Sequence, residues 1–146
     1  MRIRDIVRLI FALIFLLGAI ANTYMGLFTP SVYETFADGS ILPLYRNLWN
    51  TLVYPWIRLF LIPVVLVELS LAWLLLKSGT YVKVGLGIAL AFTLFLVPFW
   101  WQGGAVANLL LALPLLWLLR HDYPRSIFEI LKGERSGQQT KSTTKI

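Results

Sequence analysis

The chain has 146 residues, of which 58% are hydrophobic and 14% charged, and it carries a formal net charge of +6. With a mean hydropathy of +0.75, it holds more apolar surface than a soluble domain of this size could hide in one core. Cysteine is absent and the single histidine, His121, lies beyond the last apolar run, which excludes disulfides, thiolate metal sites, a nucleophilic thiol and, for this chain alone, histidine-ligated haem within a membrane.

Four apolar runs, at about 6–28, 52–76, 81–100 and 103–120, meet or approach the roughly 20 helical residues needed to cross a hydrocarbon core of about 30 Å. They lack the alternation and turn spacing of barrel strands, so each is expected to be a helix that satisfies its own backbone groups. The expected fold class is an all-α membrane protein, a four-transmembrane-helix bundle. It forms one domain over residues 1–132, with a polar tail at 133–146 that is expected to be disordered.

The first run follows Arg2, Arg4 and Arg8. "RIR", an apolar stretch and "AIA" at 19–21 resemble a cleavable signal peptide. Apolar residues nevertheless continue to Phe28, a spanning length, so retention is the expected outcome and cleavage the alternative. Next comes the one substantial external segment, "TPSVYETFADGSILPLYRNLWN", which Pro30, Gly39 and Pro43 divide into pieces too short to span. Short helices lying in the outer interface are expected there.

The second run opens beside Tyr45, Trp49, Tyr54 and Trp56, and "WWQGG" joins the third run to the fourth. These aromatic residues suit an interfacial belt. The turns "KSGTYVK" and "WWQGG" are short enough to make successive helices antiparallel neighbours. Pro55, Pro63, Pro98 and Pro114 are expected to kink their helices. The small residues Gly85, Gly87, Ala89 and Ala91 are expected to form a packing surface. After the fourth run, Pro124 is expected to open a brief amphipathic helix carrying Ile127, Ile130 and Leu131 on one side.

Orientation follows from the cations. Lysine and arginine collect before the first run, at Lys77 and Lys83, and after the fourth at Arg120, Arg125, Lys132, Arg135, Lys141 and Lys145. The other side holds only Arg46, against Glu34 and Asp38. The positive-inside rule places both termini in the cytoplasm, as an even number of spans requires.

Within these runs the charged and amide residues are the candidates for function. Arg58 and Glu68 share the second run but lie about 15 Å apart along it and roughly 80° around it, so they belong to two sites. Arg58 is expected in the outer third of the bilayer. At similar depth lie Asn22 and Asn108, each in a small-residue stripe of spacing four, with Gln102 just above them. Asn22, Arg58, Gln102 and Asn108 would therefore line an outward-opening polar pocket.

That pocket has two readings. Arg58 snorkels to headgroups while the amides tie helices together, or Arg58 binds an anionic headgroup or a polar ligand whose orientation the amides set. Glu68 lies deeper and needs a partner, with Asn or Ser groups and carbonyls near Pro63 as candidates and Arg8 as a poorer one. It could relay protons, hydrogen-bond a quinone-like head or make a purely structural hydrogen bond.

The order of features resembles the DoxX-like family of small four-helix bacterial membrane proteins. The resembling pieces are "GAIANTYMGLF", "TPSVYETFADGSILPLY", "VVLVELSLAWLLLKSG" and "NLLLALPLLWLL", which together cover most of residues 6–120. Glu68 matches the family's acidic residue in the second helix and Asn108 its polar residue opening the fourth. The external histidine often seen near the first helix has no counterpart in "GLFTP". The resemblance implies a bacterial cytoplasmic (inner) membrane protein, in some members associated with quinone-linked oxidoreductases.

The leading expectation is a non-catalytic membrane subunit that binds partner proteins and a quinone or lipid within an oxidoreductase or envelope complex. The alternative is a small homo-oligomeric transporter or lipid-binding protein using the Arg58 pocket and the buried Glu68. No catalytic constellation, metal-ligand cluster or phosphate loop is present in the sequence, so an enzyme is the least supported class. No covalent or metal cofactor is expected. The ligand-site candidates are Asn22, Arg58, Glu68, Gln102 and Asn108.

Overall fold

The 26 residues Ile3–Phe28 form one helix, α1. In this computed structural model, which describes residues 1–40, 42–97 and 104–133, α1 is followed by α2 (Pro43–Leu48), α3 (Ile57–Leu76), α4 (Thr80–Leu96) and α5 (Gly104–Leu119). No strand occurs among the described residues. Pro98, Trp100, Trp101 and Gln102, with the tail from 134 onward, lie outside them.

Burial on α1 recurs every three or four residues, through Asp5, Arg8, Phe11, Phe15, Ala19 and Gly26, which is one face of a helix. That face packs chiefly on α3, while α3 also contacts α4 and α4 contacts α5. The helices expected to be neighbours are therefore in contact. The principal core joins Phe11 and Phe15 of α1 to Leu71 and Leu75 of α3, Leu86 of α4 and Leu115 of α5. Beyond it, a smaller cluster of Tyr33, Ile57 and Leu61 closes the other end.

The segment between α1 and α3 differs from the expected set of separate short helices. Pro30–Tyr33 forms a single 3-10 turn, and α2 then runs into α3 through a π turn at Trp49–Val53 and a 3-10 turn at Tyr54–Trp56. The physical reason is Pro55, which has no N–H to donate and forces the hydrogen-bond pattern to change without ending the helix. The second helical run therefore begins at Pro43 rather than near 52 and extends to Leu76.

Two runs, Ile3–Phe28 and Pro43–Leu76, are long and apolar enough to cross a membrane, while Thr80–Leu96 and Ala105–Leu119 are apolar but shorter. Large apolar side chains such as Leu17, Leu66, Trp73, Phe95 and Leu110 stand exposed on the outer faces of four helices.

The small residues of α4 divide by face. Gly85 and Ala89 are buried, a Cβ on Gly85 falling 2.8 Å from Leu74 Cβ. Gly87 and Ala91 look outward instead, because a step of two on a helix turns the side chain to another side. The α3–α4 turn is set by Gly79, whose φ of 59° a side chain would resist. Its N–H donates to the Tyr123 carbonyl at 2.6 Å.

The chain after α5 docks on this turn. Lys83 and Asp122 pair at 2.7 Å, and the ammonium holds the exposed Asp122 carboxyl below its ordinary value. The following helix covers 127–133 rather than starting at Pro124. Ser126 caps it: its Oγ accepts the Glu129 N–H at 3.2 Å while Glu129 Oε2 accepts the Ser126 N–H at 2.7 Å, a capping box. Donation from the Ser126 backbone N–H is the first cause that lowers the Glu129 carboxyl from its ordinary value. Ile127 is buried, Ile130 half-buried and Leu131 exposed.

Candidate functional site

Glu68 sits on the buried face of α3, three residues before Leu71, and is only 6% exposed. Where α3 crosses α1, Gly18 makes room for it, since a Cβ there would fall 2.7 Å from Glu68 Oε1. One helical turn further along α1, Asn22 Nδ2 lies 3.0 and 2.9 Å from the two carboxylate oxygens and donates to them. The Asn22 Oδ1 accepts the Tyr33 hydroxyl at 2.7 Å. An ionised Glu68 carboxylate only accepts, so the Asn22 amine faces it and the Asn22 carbonyl is left to accept the Tyr33 hydroxyl.

The segment between α1 and α3 completes the chain of contacts. Trp49 Nε1 donates to the Tyr33 carbonyl at 2.9 Å, and its ring stacks on Phe36 at 4.7 Å. Burial, reinforced by the Glu68 carboxylate, pushes the Tyr33 hydroxyl above its ordinary pKa. Tyr33 therefore stays protonated and remains a donor over the physiological range.

These groups form one wall of a cavity of about 350 Å³. The remaining lining is apolar and largely aromatic: Phe36, Trp49, Phe60, Phe92 and Phe95, with aliphatic side chains of α3 and α4. A mostly apolar chamber with a few convergent polar groups is the usual form of a small-molecule site. Glu68 has acceptor capacity beyond the single amide, and as the acid it could donate to a carbonyl.

Arg58 is exposed and lines a neighbouring groove of about 260 Å³ together with Asn22, Thr23, Gly26 and Leu61. It also borders a second groove with Pro30, Tyr54 and Trp56. Asn22 and Leu61 line both the Arg58 groove and the Glu68 chamber, so those two residues separate the two spaces.

The sequence reading grouped Asn22 with Arg58, Gln102 and Asn108 and kept Glu68 apart. In the structure Asn22 shares the groove with Arg58, yet its hydrogen bonds go to Glu68 and Tyr33. Asn108, half-buried on α5, lines neither space, and Gln102 lies outside the described residues. Arg8 is likewise not a partner of Glu68 but packs on Tyr123.

Trp49 was read only as part of an interfacial aromatic belt, and Tyr33 only as one residue of the segment between the first two runs. A usable signal existed for Tyr33: it follows Pro30 by three residues on a 3-10 turn, which folds it back toward the end of α1. No group of three metal-ligating side chains occurs among the described residues. No family model, no curated protein and no solved structure matches this chain.

Proposed function

We propose that this chain is a four-span integral membrane protein that binds an amphipathic small molecule, a quinone-type head or a lipid, in the Glu68 chamber, as a non-catalytic subunit. The observation that carries the reading is the Tyr33–Asn22–Glu68 series of hydrogen bonds set in the wall of an aromatic cavity. A quinone or ester carbonyl would accept from protonated Glu68, and a hydroquinone or lipid hydroxyl would donate to the ionised form. The aromatic rings would enclose the apolar body.

Support for the membrane comes from burial. Within each of the two long helices only 28% of the most apolar stretch is buried, whereas the core helix of a soluble protein hides most of its apolar surface. Exposed leucines and aromatics on all sides of a bundle need lipid or protein to cover them. The cation distribution supports cytoplasmic termini in a bacterial inner membrane, and the DoxX-like motifs point the same way. The test is co-purification. Protein extracted in mild detergent should retain quinone or lipid, and Val64→Trp, which fills the chamber from α3, should abolish that retention.

A second reading draws on the shared boundary of the groove and the chamber. Movement of Asn22 and Leu61 would join the Arg58 groove to Glu68, as a small homo-oligomeric transporter or lipid carrier requires. Reconstituted protein would then show pH-dependent flux that Glu68→Gln removes. Flux unaltered by that substitution would exclude a proton role for Glu68.

A further inference from the structure

The opposite end of α1 carries a second cluster that the Glu68 chamber does not use. Arg8 precedes Asn22 by four turns of helix, about 21 Å, and is fully buried. Its guanidinium carbon stands 4.8 Å from the centre of the Tyr123 ring, and Nη2 donates to the Arg125 carbonyl at 3.4 Å. Arg8 Nε and Nη1 are nevertheless buried without a hydrogen-bond partner, as is Arg4 Nε. Arg4 approaches the same ring at 5.9 Å.

Against this cluster opens a cavity of about 590 Å³, lined among others by Arg2, Arg4, Asp5, Tyr123 and Arg125. Among the described residues no ion pair engages Arg2, Arg4, Arg8 or Arg125; the pair at this end is Lys83–Asp122. The one carboxylate lining the cavity, Asp5, is buried, and its Oδ2 accepts the Arg2 backbone N–H at 3.4 Å. Asp122 and Glu129 lie within electrostatic reach of Arg4 and Arg125 but outside the lining, so three guanidinium groups and one carboxylate border the cavity itself. Buried N–H groups of a cation without acceptors destabilise a fold, and of the two arginines that carry them Arg4 lines the cavity while Arg8 lies behind it.

We infer that this cavity binds a phosphate group, carried by an anionic glycerophospholipid or by a soluble phosphate compound. Arg4 and Arg125 donate to its oxygens from the rim, and Arg8 holds positive charge beneath the Tyr123 ring. Guanidinium suits this task because its planar fork matches two phosphate oxygens at once. The residues belong to α1, the segment after α5 and the 127–133 helix, so a bound phosphate would tie the two ends of the described chain together. The inference is independent of what fills the Glu68 chamber.

The test uses the full chain in neutral detergent, titrated by native mass spectrometry with phosphatidylglycerol and with phosphate-free diacylglycerol of the same acyl chains. A parallel thermal titration uses inorganic phosphate. Arg4→Gln/Arg125→Gln removes the rim donors and leaves Arg8 under Tyr123, while Lys77→Gln/Arg120→Gln removes two charges elsewhere. Phosphatidylglycerol should bind about tenfold more tightly than diacylglycerol, and the rim variant, but not the control pair, should lose about that factor. Arg4→Lys/Arg125→Lys, which keeps the charge but not the fork, should fall between the rim variant and wild type. If inorganic phosphate raises the unfolding temperature and displaces the lipid, the source is soluble phosphate; if it does neither, the source is lipid. Equal binding of both lipids with no phosphate effect would overturn the inference, and so would a folded rim variant that binds as wild type.

Discussion

Asn22 and Glu68, separated by 46 residues in the chain, meet where α1 crosses α3, with the amide nitrogen within 3.0 Å of both carboxylate oxygens. The contact fixes the register of the two helices and places a carboxyl group in the wall of an apolar chamber. Removing one partner should therefore hurt more than removing both. Asn22→Leu leaves the carboxyl group buried and unpaired and should cost roughly 1–3 kcal/mol, while Asn22→Leu/Glu68→Leu should recover most of that loss. Unfolding in detergent checks this, and a double variant no more stable than Asn22→Leu would contradict it.

Gly18 owes its identity to Glu68. A methyl group at 18 would stand 2.7 Å from Oε1 and 3.3 Å from Cδ, so Gly18→Ala must push the carboxylate off Asn22. The expected cost is about 1–3 kcal/mol. In a Glu68→Ala background the clash is gone, and the same substitution should become close to neutral. Equal costs in both backgrounds would show that the carboxylate is not what keeps residue 18 small.

Alkaline pH should weaken the fold through Tyr123. This phenol is buried, donates to the Leu118 carbonyl at 2.8 Å, and is pushed up to about 12 chiefly by burial, with Arg8 and Arg4 pulling it back. The unfolded phenol ionises near 10, earlier than the folded one, so the contribution is intact below pH 10 and is lost as pH rises from 10 toward 12. That difference between folded and unfolded phenol corresponds to roughly 2–3 kcal/mol. Stability measured at pH 9 and at pH 12 should fall less for Tyr123→Phe than for wild type by about this amount.

The chain has no native cysteine, so single cysteines report topology directly. Ser31→Cys, on the exposed turn after α1, should react with a membrane-impermeant maleimide in intact cells. Gly133→Cys should react only after the membrane is opened. Labelling of both positions from outside would remove the arrangement with cytoplasmic termini.

The helices were legible because their apolar runs are long, and neighbouring runs were legible because the turns are short. The continuous run from Pro43 was not: Pro43 reads as a break and Pro55 as a kink within a run starting near 52, yet the π turn between them carries the helix through. For the site, Glu68 and Asn22 both stood out as polar residues in apolar runs. Their pairing was hidden because depth estimates from run boundaries are good only to a turn or so of helix, and one turn decides whether Asn22 meets Arg58 or Glu68. Tyr33 was hidden for another reason, since its role depends on how the segment between α1 and α3 folds back. The Ser126–Glu129 capping box was readable from sequence and marks the helix start better than Pro124 does.

The most direct measurement is native mass spectrometry of the wild-type protein and Val64→Trp, each extracted from its own membrane in mild detergent, with the released small molecules identified. A ligand with an apolar body and a carbonyl or hydroxyl head, retained by wild type and absent from the folded Val64→Trp variant, is the predicted result. Retention of the same ligand at the same stoichiometry in both proteins, or no such ligand in either, would contradict a binding role for the Glu68 chamber.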